Sequence, residues 1–223
     1  TDAAGNVSTA SSNFTIIGDT TPPTTTISNI DISADTGTSD SDFLTKTASQ
    51  TVTAALSNAL ASGEVLYGRV DGGDWVNLNS KISNETAIEW DSVTLSGSSA
   101  IELKVADAAG NDSETSSTSY VLDQTPPTAS APSGATDDVG NITGALTNGA
   151  YTDDTSLLLS GSNESGSSVE VYDGSTKIGD ATVSGTSWSF TATVADGTTH
   201  QFNVIETDAA GNVSTASSNF TII

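Results

Sequence analysis

The same 17 residues stand at both ends of the chain: TDAAGNVSTASSNFTII at Thr1–Ile17 is identical to Thr207–Ile223. A diverged third copy, ADAAGNDSETSSTSYVL, begins at Ala106. Asp2, Asp107 and Asp208 therefore mark a period of just over 100 residues, the size of one small domain. A second punctuation follows two of the copies, at Asp19-Thr-Thr-Pro-Pro23 and Asp123-Gln-Thr-Pro-Pro127. Paired prolines cannot continue a β ladder and stiffen the backbone into an extended link, so each marks a domain boundary. The expected layout is a last hairpin arm of a preceding repeat over residues 1–17, one domain over 18–122 and another over 123–223.

Within each unit the apolar residues alternate with period two. Gln50–Ser57, Glu64–Asp71, Ala87–Leu95 and Ala100–Ala106 read as strands in the first unit. Thr155–Gly161, Ser167–Asp173, Ser187–Thr193 and His200–Thr207 read so in the second. Turn residues separate them, as in Asp71-Gly-Gly-Asp74, Asp173-Gly174 and Asp196-Gly197, and these aspartates are expected to serve the turns alone. About seven short strands per unit, with no helical period, predict an all-β chain. Its form would be tandem Ig-like antiparallel β-sandwiches joined end to end by short Pro-containing linkers. Trp75, Trp90 and Trp188 lie in or beside these strands and are expected in the cores.

Charge narrows the function. Twenty-eight acidic residues face five basic ones, for a net charge of −23. Such a field repels nucleic acid and anionic membrane, which need clustered Lys and Arg, and attracts cations. No apolar stretch is long enough to insert in a membrane. Cysteine is absent, so stability in a secreted setting must come from cores or metal rather than disulfides. Enzymatic activity is not expected. His200 is the single histidine and opens a strand, which leaves little for a Ser-His-Asp triad, and no Gly-rich phosphate loop precedes a helix.

The DAAGN turn, the strand after it, the DxTPP link and the acidic segment that follows resemble the bacterial Ig-like domains of giant RTX-type repeat adhesins, which are exported by type I secretion. Asp31–Thr45 (DISADTGTSDSDFLT) looks like the first acidic loop of that family, and Thr136–Asp154 (TDDVGNITGALTNGAYTDD) like a variant of it. The resemblance implies an extracellular, cell-surface extender. It would be a monomeric rod holding a distal binding region away from the cell in adhesion or biofilm formation, with neighbouring repeats as partners and calcium at their junctions.

Topology leads to calcium independently. In an Ig-type sandwich the loops cluster at two poles. The first unit's acidic loop (Asp35, Asp40, Asp42) falls at its C-terminal pole. The second unit's DAAGN turn (Asp208, Asn212) falls at its N-terminal pole, and Asp123 runs between them. Carboxylates gathered there would repel one another unless a hard, oxygen-seeking cation neutralised them. Aspartate outnumbers glutamate 20 to 8, which suits short ligands on loops, while a single His and no Cys argue against zinc or copper. A second position is expected at Asp137, Asp138, Asp153 and Asp154. A third, incomplete one would lie at Asp107, Asn111 and Asp19. Without a metal, the DAAGN segment has a plain reading as a tight turn in which Asn bonds its own backbone. Two other roles remain open: one unit as a glycan- or protein-binding adhesive module, with Tyr67 or Tyr151 exposed, or a spacer in a large secreted enzyme.

Overall fold

The computed structural model describes residues 1–141 and 143–223. Ile142, inside the second acidic segment, lies outside the described residues. Among the described residues eighteen strands follow in order, broken by one short 3-10 turn at Asn79–Lys81. The first nine are β1 (Ile27–Ile32), β2 (Leu44–Thr45), β3 (Ser49–Leu56), β4 (Val65–Val70), β5 (Val76–Asn77), β6 (Ile82–Ser83), β7 (Ala87–Thr94), β8 (Ser98–Ala106) and β9 (Ser116–Leu122). They form two sheets, ordered β1-β3-β7-β6 and β2-β9-β8-β4-β5, with only the β2–β9 pair parallel among them.

The other nine are β10 (Gly134–Asp137), β11 (Gly144–Leu146), β12 (Ser156–Ser162), β13 (Ser168–Asp173), β14 (Thr176–Asp180), β15 (Thr182–Ser184), β16 (Ser187–Thr193), β17 (His200–Thr207) and β18 (Phe220–Ile222). Their sheets run β11-β10-β12-β16-β15 and β14-β13-β17-β18. Each sandwich holds nine strands rather than about seven. The extra ones are edge pieces of two or three residues, such as β2, β5 and β15, too short to show a period in sequence.

Alternation places the cores. Along β3, Gln50, Val52, Ala54 and Leu56 turn inward, and β8 does the same with Ile101, Leu103 and Val105. One cluster gathers these with Leu66, Trp90 and Tyr120. A second gathers Leu157, Leu159, Val169, Val171, Trp188, Phe202, Val204 and Ile222. Apolar faces buried this way drive a two-sheet fold, because a sheet exposed on both faces would leave its inward side chains in water.

Trp90 and Trp188 are core residues as expected, but Trp75 is not. It precedes the two-residue edge strand β5 and lies half-buried on the outward face of the sheet. Arg69 sits 4.4 Å and Lys104 4.5 Å from its ring. Both cations alternate with inward residues of β4 and β8, so the ring is held by cation–π contact rather than by the core.

Residues 1–17 hold a single turn at their start and form no strand. The identical residues at the other end do form one: Phe220 pairs with Phe202 and is 5% exposed, whereas Phe14 is 88% exposed. The same sequence thus becomes a strand only where a neighbouring strand offers it a ladder and a core.

Candidate functional site at the junction

All three DAAGN copies fold alike, and the aspartate is what shapes them. In the last copy the Asn212 backbone N–H donates to Asp208 Oδ1 at 2.8 Å, and Asn212 Nδ2 donates to Asp208 Oδ2 at 2.8 Å. Asp107–Asn111 and Asp2–Asn6 repeat both bonds. The Asn111 side chain, with backbone donors beside it, holds Asp107 below the ordinary carboxyl range, and Asn6 does the same for Asp2.

The asparagine also explains why DAAGN and DxTPP travel together. Asn212 Nδ2 donates to the Asp123 carbonyl at 2.9 Å, and Asn111 Nδ2 to the Asp19 carbonyl at 3.2 Å. Each link aspartate turns its carboxylate onto its own backbone, Asp123 Oδ1 accepting from Thr125 N–H and Asp19 Oδ1 from Thr21 N–H. The link is thereby clipped to the turn of the domain it enters.

The acidic loop of the first sandwich meets the last DAAGN turn, as the pole argument requires. The contacts, though, are not made by carboxylates. Thr36 Oγ1 donates to the Ala210 carbonyl at 2.7 Å, and Thr38 N–H to the Ala209 carbonyl at 3.3 Å. Lys46 Nζ donates to the Gly211 carbonyl. Gly37 lies between them at φ +104°, so close that a Cβ there would fall 1.9 Å from the Ala209 carbonyl oxygen. Only glycine permits that approach.

The loop carboxylates face elsewhere. Asp42 Oδ1 accepts from Leu44 N–H, and Asp40 is exposed. Asp35 Oδ2 accepts from Phe43 N–H at 2.9 Å, while its Oδ1 is buried without a partner. Burial pushes the Asp35 carboxyl above its ordinary range against the pull of that bond, and repulsion from Asp42, Asp31 and Asp40 adds to the rise. The four are near enough to repel, yet among the described residues no three acidic or histidine side chains converge as a ready metal cage. A cation suits the loop, where Asp35 offers a free buried oxygen. In the DAAGN turn each Asp208 oxygen already accepts one bond from Asn212.

At the far end Asp137 and Asp154 are buried and locally bonded. Asp137 accepts from Val139 N–H and Thr152 Oγ1, and Asp154 from Ser156 N–H and, at 3.4 Å, Asp138 N–H. Asp138 and Asp153 are exposed. A cleft of about 400 Å³ opens beside Asp153, Asp154, Asp196 and His200. There His200 Nδ1 lies 2.7 Å from Asp173 Oδ2, and its Nε2 accepts from Ala195 N–H.

Two turn aspartates do more than shape a turn. Asp173 orients His200, and Asp71 takes the hydroxyls of Tyr120 and Ser96. Sequence reasoning missed these roles, which join residues 25 or more apart with no motif between them. The other cluster it missed is inside the second sandwich, where buried Glu206 and Asn163 each hold an unpartnered oxygen. A charge at an inward position of the alternation 202, 204, 206 was the available signal.

Residues 128–222 match the family described as bacterial Ig-like domain. Over 226 aligned residues the chain is 33% identical to exoglucanase B of Cellulomonas fimi, covering 97% of this chain and 19% of that protein. The chain thus spans about a fifth of that relative. Among solved structures, the fibronectin(III)-like modules of Clostridium thermocellum CbhA superpose with a TM-score of 0.41 at 12% identity, over 89% of this chain and 93% of theirs. Bacteroides ovatus SGBP-B, solved with a mixed-linkage heptasaccharide, gives 0.26 at 8% identity over 80% and 64%.

Proposed function

For a chain whose second sandwich is a bacterial Ig-like domain, we propose the role of an extender. It would hold apart what lies on either side of it, outside a bacterial cell, as a segment of a large surface adhesin. The junction carries this reading. Loop 36–38 and Lys46 grip turn 209–211, and Asn212 clips the link at Asp123, so the sandwiches meet end to end through short bonds rather than a free tether.

Calcium is assigned to the acidic loop, at Asp31, Asp35, Asp40 and Asp42. Neutralising those carboxylates would stiffen the same loop whose Thr36 and Thr38 hold the turn. Extracellular modules bind at roughly 10⁻⁴ to 10⁻³ M. At millimolar calcium a site of ~0.1 mM adds about 1.4 kcal/mol to the bound state, enough to hold a hinge. Small-angle X-ray scattering of the chain tests this: calcium should narrow the distribution of maximum dimensions seen in chelator. Superimposable curves would sink the calcium-stiffened extender.

A glycan-binding role has two exposed or half-buried aromatics behind it, Trp75 and Tyr151, together with the kinship to an exoglucanase. The Trp75 ring is already engaged by Arg69 and Lys104, so a sugar would have to displace a cation to stack on it. A spacer within a secreted carbohydrate-active enzyme asks the same mechanics of the junction as an adhesin rod does.

A further inference from the structure

Glu206 lies at an inward position of β17 and is 1% exposed. Its counterpart in the first sandwich is Val105. Both stand two residues before the DAAGN aspartate, and each takes a serine hydroxyl on its backbone N–H, Ser214 for Glu206 and Ser113 for Val105. Each also faces an apolar residue across the ladder, Val169 and Leu66 respectively. The fold is therefore built with a hydrocarbon at this position, and a carboxylate here calls for its own explanation.

The loop above it has changed in the same sense. In the first sandwich Leu60 packs against the core from this loop. In the second, residues 163–167 bring oxygens instead. Glu206 Oε2 accepts from Glu164 N–H at 3.1 Å; Ser167 Oγ lies 3.2 Å from the same oxygen and 2.7 Å from the Glu164 carbonyl, the shorter of the two bonds its one proton can make. Asn163, 8% exposed, turns Nδ2 toward the Glu164 carbonyl at 2.7 Å, and toward the Gly185 carbonyl and Ser167 Oγ at 3.4 Å. That orientation is fixed, because a flipped amide would set Oδ1 against two carbonyl oxygens. Two acceptors are then left over in the interior, Glu206 Oε1 and Asn163 Oδ1, and neither has a partner.

No lysine, arginine or histidine forms an ion pair with Glu206 among the described residues. A buried carboxylate without a counter-charge is strongly unfavourable, and a bridging water would satisfy hydrogen bonds without cancelling the charge. We propose that Glu206 Oε1 and Asn163 Oδ1, with the Ser167 hydroxyl beside them, form a binding site for a hard metal cation inside the second sandwich. The donor set is all oxygen with a single negative charge, which fits sodium or weakly held calcium and not a thiophilic metal. This site is separate from the acidic loop of the first sandwich and stands whether or not that loop binds calcium.

The test is amide NMR on the intact chain, prepared with a large organic cation as the only counter-ion and titrated separately with calcium and with sodium. The Glu164 and Ser167 amides should shift and saturate with one of the two, which identifies the ion. Glu206→Gln and Glu206→Val should abolish that response, and the valine variant folds with the residue the first sandwich already uses. Shifts at Phe43, whose N–H caps Asp35, should persist in both variants if the acidic loop binds its own ion. Wild-type Glu164 and Ser167 amides indifferent to both cations, or responding equally in the variants, would overturn the site.

Discussion

Asp35 is an acidic residue whose surroundings oppose its charge. Desolvation and three neighbouring aspartates raise its folded-state pKa above 3.8, so between that value and the raised one the folded chain holds more proton than the unfolded chain. Stability from this group is therefore greatest below pH 3.8, falls as pH rises through the raised pKa, and stays reduced above it. In calcium-free buffer, Asp35→Asn should unfold together with wild type near pH 3 and a few degrees above it at neutral pH. Calcium should reverse the order by stabilising the wild type more than the variant. Thermal unfolding across pH measures both, and a variant that tracks wild type throughout would show that Asp35 carries no penalty. At this scale the sequence was ambiguous. DAAGN reads equally as ligand and as turn, and which donors Asp208 takes is decided only by the folded backbone, where Asn212 supplies two.

Strands were the most legible elements, because burial on one face imposes period two on the residues that make them. His200–Thr207 and Ser187–Thr193 fall where alternation places them. Trp75 was misread because β5 has two residues and no period to show its face. Also invisible in sequence was a shared packing device, a strand glycine beneath each core tryptophan. A Cβ at Gly68 would lie 2.8 Å from the Trp90 ring, and one at Gly161 2.7 Å from Trp188. Neither glycine has positive φ, so the constraint is space rather than backbone. Gly161→Ala in β12 should destabilise the second sandwich by about 1–3 kcal/mol, the usual effect of overpacking a filled core. Denaturant unfolding followed by Trp188 fluorescence, with Trp75 and Trp90 replaced by Phe, reads that sandwich alone. A change within about 0.5 kcal/mol would mean the indole shifts freely, as surface substitutions do.

For the whole molecule, topology foretold which loops meet, since successive strands must run pole to pole. It did not foretell the chemistry of the meeting, because bonds to the Ala209, Ala210 and Gly211 carbonyls leave no signature in residue type. Gly37 is where that chemistry can be broken alone. An alanine there would be strained at φ +104° and would drive its methyl into the Ala209 carbonyl, yet Gly37 belongs to neither core cluster. Gly37→Ala should therefore leave both cores folded, with amide signals of Leu103 and Val171 unmoved, while those of Thr38 and Gly211 shift. X-ray scattering should then give a broader spread of dimensions that calcium no longer narrows, because a stiffened loop cannot hold a turn it does not touch. Lys46→Ala removes one bond and no steric contact, so its effect should be smaller and in the same direction. Unchanged scattering from Gly37→Ala would transfer the hold to the Asn212–Asp123 clip and the stiff Pro126-Pro127 link, and the orientation of the sandwiches would then be set by the entering domain rather than by the loop it meets.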